Sequence, residues 1–334
     1  MSRSINVLIP VFNDWQSLEM LMDGIAKEND SRITDNLSFT IVNDASVTPM
    51  PKFLFGGKFE VEVVHLNRNL GHQRAIACGL AYIGQNKEYD AVIVMDSDGE
   101  DRAGDIKHLI SAFEDSPNRI VFAKRTKRQE SHTFRFFYRL YKVVHKLLTG
   151  KPIAFGNFSI IPGHLLRQVS NVSEIWNHYS GGIIRSKIPY DTIPLERGKR
   201  LAGESKMNFT SLILHGLSSI AVSSDIMAIR MLLVSLVFIL ATIGGIIGVT
   251  GVKLFTDLAI PGWASMVVIG LSVILMQMFL ISLFLVFTVL TYRMQQFIIP
   301  SKHYSDYVGK VEYFGANERR EVPWEGTGTI HRSA

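Results

Sequence analysis

The chain has 334 residues, a net charge of +5 and one cysteine. This length allows about two domains with a core that needs no disulfides, and a lone Cys78 excludes an intramolecular disulfide. No Cys/His cluster has the spacing of a structural zinc site. The N-terminus enters a strand pattern directly, so no cleavable signal peptide is expected.

Apolar runs of strand length alternate with helical patterns through most of the first two thirds of the chain. Helices are predicted after the first and third strands, through Leu18–Ile25 and Gln73–Ile83. The predicted strands are Ile5–Ile9, Phe39–Val42, Val61–Leu66, Ala91–Met95, Ile120–Ala123, Phe155–Pro162 and Ile188–Leu195. The alternation predicts right-handed βαβ units and a mostly parallel sheet, within an α/β domain of residues 1–207.

Polar side chains recur where these strands end. They are Asn13 and Asp14, then Asp44, Asn69, Asp96 and Asp98. Because the carboxyl ends of parallel strands share one edge, these residues predict a single pocket along it. Carboxylates spaced as in Asp96-Ser97-Asp98 can share a hard divalent cation with phosphate oxygens and water. The alternative is an ordinary acidic turn, with Asp105 as a solvated helix start.

The last third of the chain predicts a membrane hairpin. Two runs without charge, within about 229–252 and 264–292, each exceed the roughly 20 apolar residues of a spanning helix. Arg230, Arg293 and Lys302 flank the outer ends, against Lys253 alone in the connector. The positive-inside rule therefore places both termini, and with them the α/β domain of residues 1–207, in the cytoplasm.

Two further segments are predicted to adjoin the membrane, and a third forms the C-terminal tail. A basic amphipathic helix carries Arg135, Arg139, Lys142 and Lys146 on one face, which favours the bilayer surface over a solvated cover helix. Residues 208–228 are predicted to form an interfacial linker helix. Residues 300–334 are predicted to be a polar cytoplasmic tail, partly disordered.

Several short motifs occur in an order that resembles a known family. They are Pro10-Val11-Phe12-Asn13-Asp14, Val42-Asn43-Asp44-Ala45-Ser46, Asn69-Leu70-Gly71, Asp96-Ser97-Asp98, Lys124-Arg125 and Arg200-x-x-Gly203-x-Ser205-Lys206. Over residues 5 to 210 they resemble family 2 glycosyltransferases of the GT-A fold. Within that family they resemble the polyprenyl-phosphate glycosyltransferases, which include dolichyl-phosphate mannose synthase and bacterial undecaprenyl-phosphate glucosyltransferases.

The resemblance implies a role for each motif. The nucleotide would contact Pro10, Phe12, Asp14, Val42 and Asp44, and Asp96 and Ser97 would meet the ribose and diphosphate. Asp98 would ligate Mg²⁺ or Mn²⁺, with Asp96 and Glu100 on the metal side. Arg125, Arg200 and Lys206 would bind phosphates, and Asp96, Asp98, Arg125 and Arg200 would form the catalytic set. Arg128, Ser131 and Arg135 are candidates for the acceptor-phosphate site.

The implied reaction is a single inverting transfer from a nucleotide-diphosphate sugar to polyprenyl phosphate at the bacterial plasma membrane. A UDP-sugar is favoured over a GDP-sugar. The residue types suit this chemistry, because a cation and arginines offset the charge of the leaving group and gather two anionic substrates. The sequence identifies neither the sugar nor the pathway, and it does not decide whether the protein forms a homo-oligomer.

Two departures from the family pattern stand near the predicted pocket. The family usually has an Asp-Phe-Arg-like segment where this chain reads Gly156-Asn157-Phe158-Ser159, and His72 follows Asn69-Leu70-Gly71 in place of the commoner lysine. These changes affect the predicted donor sugar more than the reaction class.

The alternatives are a processive polysaccharide synthase and a degenerate, non-catalytic scaffold of the same fold. The chain lacks the Gln-x-x-Arg-Trp motif of the former, and the departure at Gly156–Ser159 keeps the latter open. A nucleic-acid partner is not expected, since the basic face leads into membrane spans.

Overall fold

The computed structural model describes residues 3–28, 37–51, 59–125, 150, 155–203, 218, 221–256, 262–294, 298–315 and 319–324. The chain divides into two units. One comprises residues 1–137, 153–222 and 297–334, and the other comprises residues 138–152 and 223–296.

The first unit is built on a mixed sheet of nine strands. The strands are β1 Ile5–Val11, β2 Leu37–Asn43, β3 Glu60–Leu66, β4 Ala91–Val94, β5 Ile120–Arg125, β6 Ser159–Pro162, β7 Tyr190–Leu195, β8 Val308–Phe314 and β9 Arg319–Pro323. Their order across the sheet is β7-β5-β6-β4-β1-β2-β3-β8-β9.

Strand direction determines which ends meet. The pairs β1–β2, β1–β4, β2–β3 and β5–β7 are parallel. Strand β6 runs antiparallel to both of its neighbours, β4 and β5. Strands β4 and β5 therefore point in the same direction on either side of it. The carboxyl ends of β1, β2, β3, β4, β5 and β7 therefore lie along one edge, as the alternation of strands and helices predicted.

Helices cover both faces of this sheet. They are α1 Trp15–Lys27, α2 His72–Asn86, α3 Ile106–Asp115, α4 Gly163–Ser170 and α5 Tyr179–Ser186. One apolar cluster packs α2 on one face, and a second packs α1 and α3 on the other. Helix α2 approaches the sheet so closely that a Cβ at Gly79 would lie 2.4 Å from Leu8 Cδ1. Buried apolar area on both faces is the main stabilising term for such a layered core.

The C-terminal segment differs from the predicted polar tail. After a short helix, α8 Pro300–His303, β8 pairs antiparallel with β3 and β9 pairs with β8. Tyr304, Val308 and Val311 are buried in the same apolar cluster as α2. The sheet of the first unit is thus completed by residues beyond 300, and the predicted domain boundary at residue 207 is too early. Burial along β8 does not alternate regularly, and a short strand without that alternation gives only a weak signal in the sequence, which explains the missed assignment.

The second unit contains two long apolar helices, α6 Ser224–Phe255 and α7 Trp263–Met294. Both are long and apolar enough to cross a membrane, and most of their residues are exposed. Ser235 Oγ lies 2.7 Å from Ser282 Oγ, which links the two helices by a hydrogen bond. Exposed apolar surface on this scale is expected where lipid replaces water as the solvent.

Several predicted features lie outside the described residues. Among them are most of the interfacial helix of residues 208–228, the basic amphipathic helix, and the side chains of Arg128, Ser131, Arg135 and Lys206.

Candidate active site

The carboxyl edge of the sheet gathers most of the predicted polar residues. The loop after β1 is joined to the loop after β2, because Asn13 Oδ1 accepts hydrogen bonds from Val47 N at 2.7 Å and from Thr48 N at 2.9 Å. Asn13 and Ala45 both have positive φ angles, 53° and 52°. Asparagine adopts this conformation more readily than alanine does, and both turns direct their neighbours toward the edge.

Val42, within β2, and Asp44, directly after it, stabilise the carboxyl edge of the sheet. The Asp44 carboxylate is 2 % exposed and accepts the backbone N–H groups of Leu70 at 2.6 Å and Gly71 at 2.9 Å. Burial raises the pKa of Asp44, while these two N–H groups oppose the shift. Asp44 therefore joins the loops after β2 and β3. Val42 is fully buried in the core, so it stabilises the edge and presents no surface to a ligand in this structure.

The acidic loop after β4 lies near the centre of the edge. Asp98 Oδ1 accepts Glu100 N at 3.0 Å, which closes a tight turn. Gly99 has φ +82°, and a Cβ there would lie 2.3 Å from Leu201 Cγ. Both the conformation and the contact require glycine at this position.

Arginines from two other strand ends meet this loop. Arg200 contacts Asp14 through one nitrogen and Asp98 Oδ2 at 3.3 Å through another. Arg197 pairs with Glu100, and Arg125 lies 3.2 Å from Asp101 Oδ1 and 3.7 Å from Glu100 Oε2. The predicted arginines and carboxylates are therefore together, and these two ion pairs of Arg200 join residues widely separated in the sequence.

The loop of residues 196–203 lies against the acidic loop through its main chain. Gly198 N donates to Glu100 O at 2.8 Å, and Leu201 N donates to Asp98 O at 2.9 Å. These backbone contacts hold Arg197 and Arg200 over the carboxylates. The sequence motif predicted the arginine of this loop but not its backbone pairing.

Asp101 is a site residue that the sequence analysis missed. Its side chain is 3 % exposed, and its two oxygens accept Asp96 N at 3.0 Å and the Arg125 guanidinium at 3.2 Å. Burial, and then the nearby Asp96 charge, raise the pKa of Asp101 to about 7. The signal that existed was its place at the end of a run of carboxylates, three residues after Asp98 of the Asp-x-Asp pair.

The carboxylates of Asp96 and Asp98 differ in their electrostatic surroundings. Burial and the neighbouring charge of Asp96 raise the pKa of Asp98 to about 6. Burial also acts to raise the pKa of Asp96, but His72 and Arg125 outweigh it and hold that pKa at about 2. Such a difference between adjacent carboxyl groups is typical of functional sites.

His72 and Asn157, the two departures from the family pattern, are neighbours in the structure. His72 Nε2 lies 3.2 Å from Asp96 Oδ1 and 2.9 Å from Asn157 Nδ2. Burial opposes protonation of His72, but the Asp96 carboxylate raises its pKa overall. The sequence placed both residues near the pocket without indicating that they touch.

The predicted metal site is incomplete from protein ligands alone. Within the described ranges, no three His, Cys, Asp or Glu side chains are gathered so as to hold a metal ion. Burial and the neighbouring Asp96 carboxylate raise the pKa of Asp98. Such a group suits a site where a bound cation offsets the excess negative charge. One or two carboxylates completed by phosphate oxygens and water are a common arrangement for Mg²⁺. Glu100 is paired with arginines in this state.

The remaining predicted residues also lie at or below the edge. Pro10 is buried within β1, and Phe12, immediately after the strand, is 39 % exposed. Ser97 is 8 % exposed between the two aspartates. The end of β1 thus places the exposed ring of Phe12 two residues before Asp14.

Residues 6–176 of this chain match glycosyl transferase family 2. The chain belongs to this family. This family 2 glycosyltransferase is 28 % identical over 293 residues to the glycosyltransferase YkcC of Bacillus subtilis, which covers 81 % of this chain and 84 % of that protein. It is 24 % identical over 219 residues to the undecaprenyl-phosphate 4-deoxy-4-formamido-L-arabinose transferase of Proteus mirabilis, with 63 % and 65 % covered.

Among solved structures, glucosyl-3-phosphoglycerate synthase from Mycobacterium tuberculosis, in complex with Mn²⁺, UDP and phosphoglyceric acid, aligns with a TM-score of 0.49. The identity is 14 %, over 68 % of this chain and 79 % of that one. The family match and the mixed sheet with flanking helices confirm the predicted GT-A fold and the glycosyltransferase activity. The two apolar helices that follow are consistent with membrane association.

Proposed function

We propose that this glycosyltransferase moves one sugar from a nucleotide-diphosphate sugar to polyprenyl phosphate at the cytoplasmic face of a bacterial plasma membrane. The observation that carries the proposal is the presence, in one chain, of an arginine-and-carboxylate edge and two exposed apolar helices. A soluble acceptor would give no reason for the helices. The Proteus mirabilis relative, named as an undecaprenyl-phosphate transferase, supports the same acceptor class.

The donor would lie along the carboxyl edge of β1, β2 and β4. Phe12 and Asp14 would contact the base and ribose, with Pro10, Val42 and Asp44 supporting this part of the edge. Asp96 and Ser97 would meet the ribose and diphosphate. Arg125, Arg200 and Lys206 would neutralise the phosphates, because guanidinium groups bind phosphate oxygens in a fixed fork. The resemblance favours UDP as the nucleotide.

A divalent cation would be held by Asp98 with help from Asp96, and Glu100 would join only if it left Arg197. When bound, Mg²⁺ or Mn²⁺ would stabilise the charge that develops on the diphosphate leaving group. Arg200, which contacts Asp14 and Asp98 in this structure, would turn to the phosphates once a cation neutralised the carboxylates. The protein's own contribution is thus positioning and electrostatic stabilisation.

The acceptor needs little activation. A lipid monophosphate is already anionic, so a single displacement with inversion at the anomeric carbon proceeds without a strong general base. The acceptor phosphate is assigned to Arg128, Ser131 and Arg135, which lie outside the described residues.

The topology follows from the charges that flank the two apolar helices. With Arg230, Arg293 and Lys302 at their outer ends, both termini and the catalytic unit would lie in the cytoplasm. The hairpin would anchor the enzyme in the membrane that contains its lipid acceptor and so raise the local concentration of acceptor.

The test is transfer by the purified protein in detergent with undecaprenyl phosphate, Mg²⁺ or Mn²⁺, and a panel of labelled UDP- and GDP-sugars. We expect label in the organic phase from one UDP-sugar and none in the presence of EDTA. Asp98→Asn should abolish transfer, while Asp115→Asn, at an exposed carboxylate ending α3, should leave it unchanged.

Label that stays in the aqueous phase with every donor, from protein that still binds nucleotide, would contradict the proposed acceptor and favour the scaffold alternative. Full transfer by Asp98→Asn would contradict the metal assignment.

A further inference from the structure

We propose that His65 is a positioning residue for the nucleotide of the donor. Its imidazole holds Asn43, and Asn43 holds the turn of residues 43–46 that follows β2. The inference rests on the proposed function for the placement of the nucleotide along the ends of β1 and β2. It gives a role to polar residues that the proposed transfer itself does not use.

Polar side chains cross the sheet in a row near this edge. Asn43 and His65 are register partners in the parallel pair of β2 and β3. His65 is also the register partner of Lys310 in the antiparallel pair of β3 and β8. Glu312, two residues further along β8, lies on the same face of the sheet and is 2 % exposed. The row therefore joins the nucleotide edge to a strand that follows the membrane helices in the sequence.

The hydrogen bonds of Asn43 fix the orientation of its amide. Asn43 Oδ1 accepts the backbone N–H of Ser46 at 2.9 Å. A main-chain N–H is only a donor, so the oxygen and the nitrogen of this amide cannot be exchanged. Asn43 Nδ2 is therefore the donor in the 2.9 Å contact with His65 Nδ1. The imidazole nitrogen is the acceptor.

The same bond fixes the tautomer of His65. A hydrogen on Nδ1 would face the NH₂ group of Asn43, so the ring is neutral and carries its hydrogen on Nε2. That nitrogen lies 3.4 Å from Glu312 Oε1, and the negative charge favours a hydrogen on the nearer nitrogen. The Glu312 carboxylate is itself held by Lys310 Nζ at 2.8 Å. Strand β8 thus favours the form of the ring that accepts from Asn43.

The turn after β2 depends on contacts of this kind. Ala45 has a φ of 52°, a conformation that a residue with a Cβ keeps only where the surroundings enforce it. Asn43 accepts twice within the turn, from Ala45 N at 2.9 Å through its main-chain oxygen and from Ser46 N through its side chain. Rotation of the Asn43 amide would break the second of these bonds, and the bond to His65 Nδ1 opposes that rotation.

This turn positions the residues assigned to the base and ribose. Ser46 Oγ accepts Asn13 N at 2.9 Å, and Asn13 lies between Phe12 and Asp14 in the sequence. Displacing the turn would therefore shift the proposed nucleotide contacts. The acidic loop after β4 would keep its place, because the main chain of residues 196–203 holds it. Loss of His65 should accordingly weaken donor binding and leave the chemical step unchanged.

The experiment measures the dissociation constants of UDP and GDP with Mg²⁺, by isothermal titration calorimetry of the full chain in detergent, together with transfer kinetics. His65→Leu removes the acceptor for Asn43 and should weaken binding of the nucleotide that the wild type prefers by about fivefold. The KM for the nucleotide sugar should rise by the same factor. The kcat and the KM for undecaprenyl phosphate should not change.

Two further variants separate positioning from a general structural role. His65→Asn restores an acceptor, because asparagine Oδ1 stands one bond from Cγ, as histidine Nδ1 does, and it should recover most of the affinity. The matched control is Ser38→Ala, which removes the Oγ that accepts from Asn6 Nδ2 at 3.0 Å, at the opposite end of β1 and β2. This control should lower the melting temperature and leave nucleotide affinity unchanged.

A double-mutant cycle tests whether His65 acts through Asn43. In an Asn43→Ala background, His65→Leu should add little to the loss of affinity, because its partner is already absent. If the melting temperature shows that His65→Leu does not fold, His65→Gln replaces it with the same expectation. Its polar atoms stand one bond further from the backbone than Nδ1 does.

The outcomes distinguish the two proposals. Protein that shows the expected nucleotide affinities and coupling but transfers no label to undecaprenyl phosphate would overturn the proposed function and retain the role of His65. Wild-type affinity in His65→Leu or its replacement, equal weakening in His65→Asn, additive losses in the cycle, or a wild-type protein that binds neither UDP nor GDP would overturn the role of His65.

Discussion

Arg200 Nη1 lies 3.3 Å from Asp98 Oδ2, although 102 positions separate the two residues in the chain. The contact exists because the loop of residues 196–203 pairs its main chain with the acidic loop. It links a residue assigned to phosphate binding with the residue assigned to the metal. The residues that we propose to be catalytic are thus paired with one another, and we expect bound substrates to replace these partners.

Arg200→Lys tests this exchange. Lysine keeps the charge but lacks the fork that contacts Asp14 and Asp98 together. We expect kcat to fall at least about tenfold and the KM for the nucleotide sugar to rise, measured as initial rates in the organic-phase assay.

The control for this variant is Arg119→Lys. Arg119 forms an exposed pair with Asp191 at 2.7 Å, and such surface pairs contribute little. Equal rates for Arg200→Lys and wild type would remove Arg200 from the catalytic set.

Asp101→Ala should reduce both stability and activity. The change leaves Asp96 N–H and the Arg125 guanidinium without their acceptor in a buried position. Leaving buried donors unsatisfied costs roughly 2 kcal/mol, and both groups belong to the proposed site. Thermal unfolding in detergent and the transfer assay measure the two effects.

Asp105→Ala separates those effects. Asp105 is also buried and accepts two hydrogen bonds from Arg102, at 3.0 Å and 3.2 Å, but it lies outside the carboxylate edge. It should lower the melting temperature and leave the transfer rate per folded protein unchanged. A normal rate for Asp101→Ala would make Asp101 structural only.

Lys87→Ala should destabilise the protein in a pH-dependent way. Burial raises the pKa of Glu62, and Lys87 opposes that shift through an ion pair whose members are 23 % and 11 % exposed. Without Lys87 the pKa of folded Glu62 rises further, so the folded state gains affinity for a proton. Stability relative to wild type then falls as pH rises above the ordinary carboxyl value, by roughly 2 kcal/mol at most.

The measurement is the difference in melting temperature between Lys87→Ala and wild type at pH 5 and pH 8. We expect the larger deficit at pH 8. Lys107→Ala, at a more exposed pair with Glu28 3.8 Å apart, should show a small deficit at both values. A deficit for Lys87→Ala that is larger at pH 5 would contradict the argument.

Truncation after Ile299 should destabilise the catalytic unit, because it removes β8 and β9. The buried side chains of Tyr304, Val308 and Val311 would be lost, and β3 would become an unpaired edge strand prone to aggregation. Size-exclusion chromatography in detergent should show aggregated material. A truncation after Trp324 retains both strands and serves as the control, and monodisperse, active protein from the shorter chain would exclude this role.

The sequence alone determined the local framework of this protein. Buried β-branched runs and amphipathic helices in alternation specify a largely parallel sheet, and parallel strands place Asp14, Asp44, Asp96 and Asp98 at one edge. Two runs without charge specify the apolar helices. These features depend on composition and short-range periodicity, which a single chain displays directly.

Only the tertiary structure decided which distant residues touch. The reversal of β6, the return of β8 to β3, the backbone pairing over the acidic loop and the contact between His72 and Asn157 all join segments far apart in the sequence. Their geometry follows from how the layers pack and from which buried polar groups must find partners. No local periodicity encodes such pairings, and for this reason the role of Asp101 emerged only when the fold brought Asp96 and Arg125 to its two carboxylate oxygens.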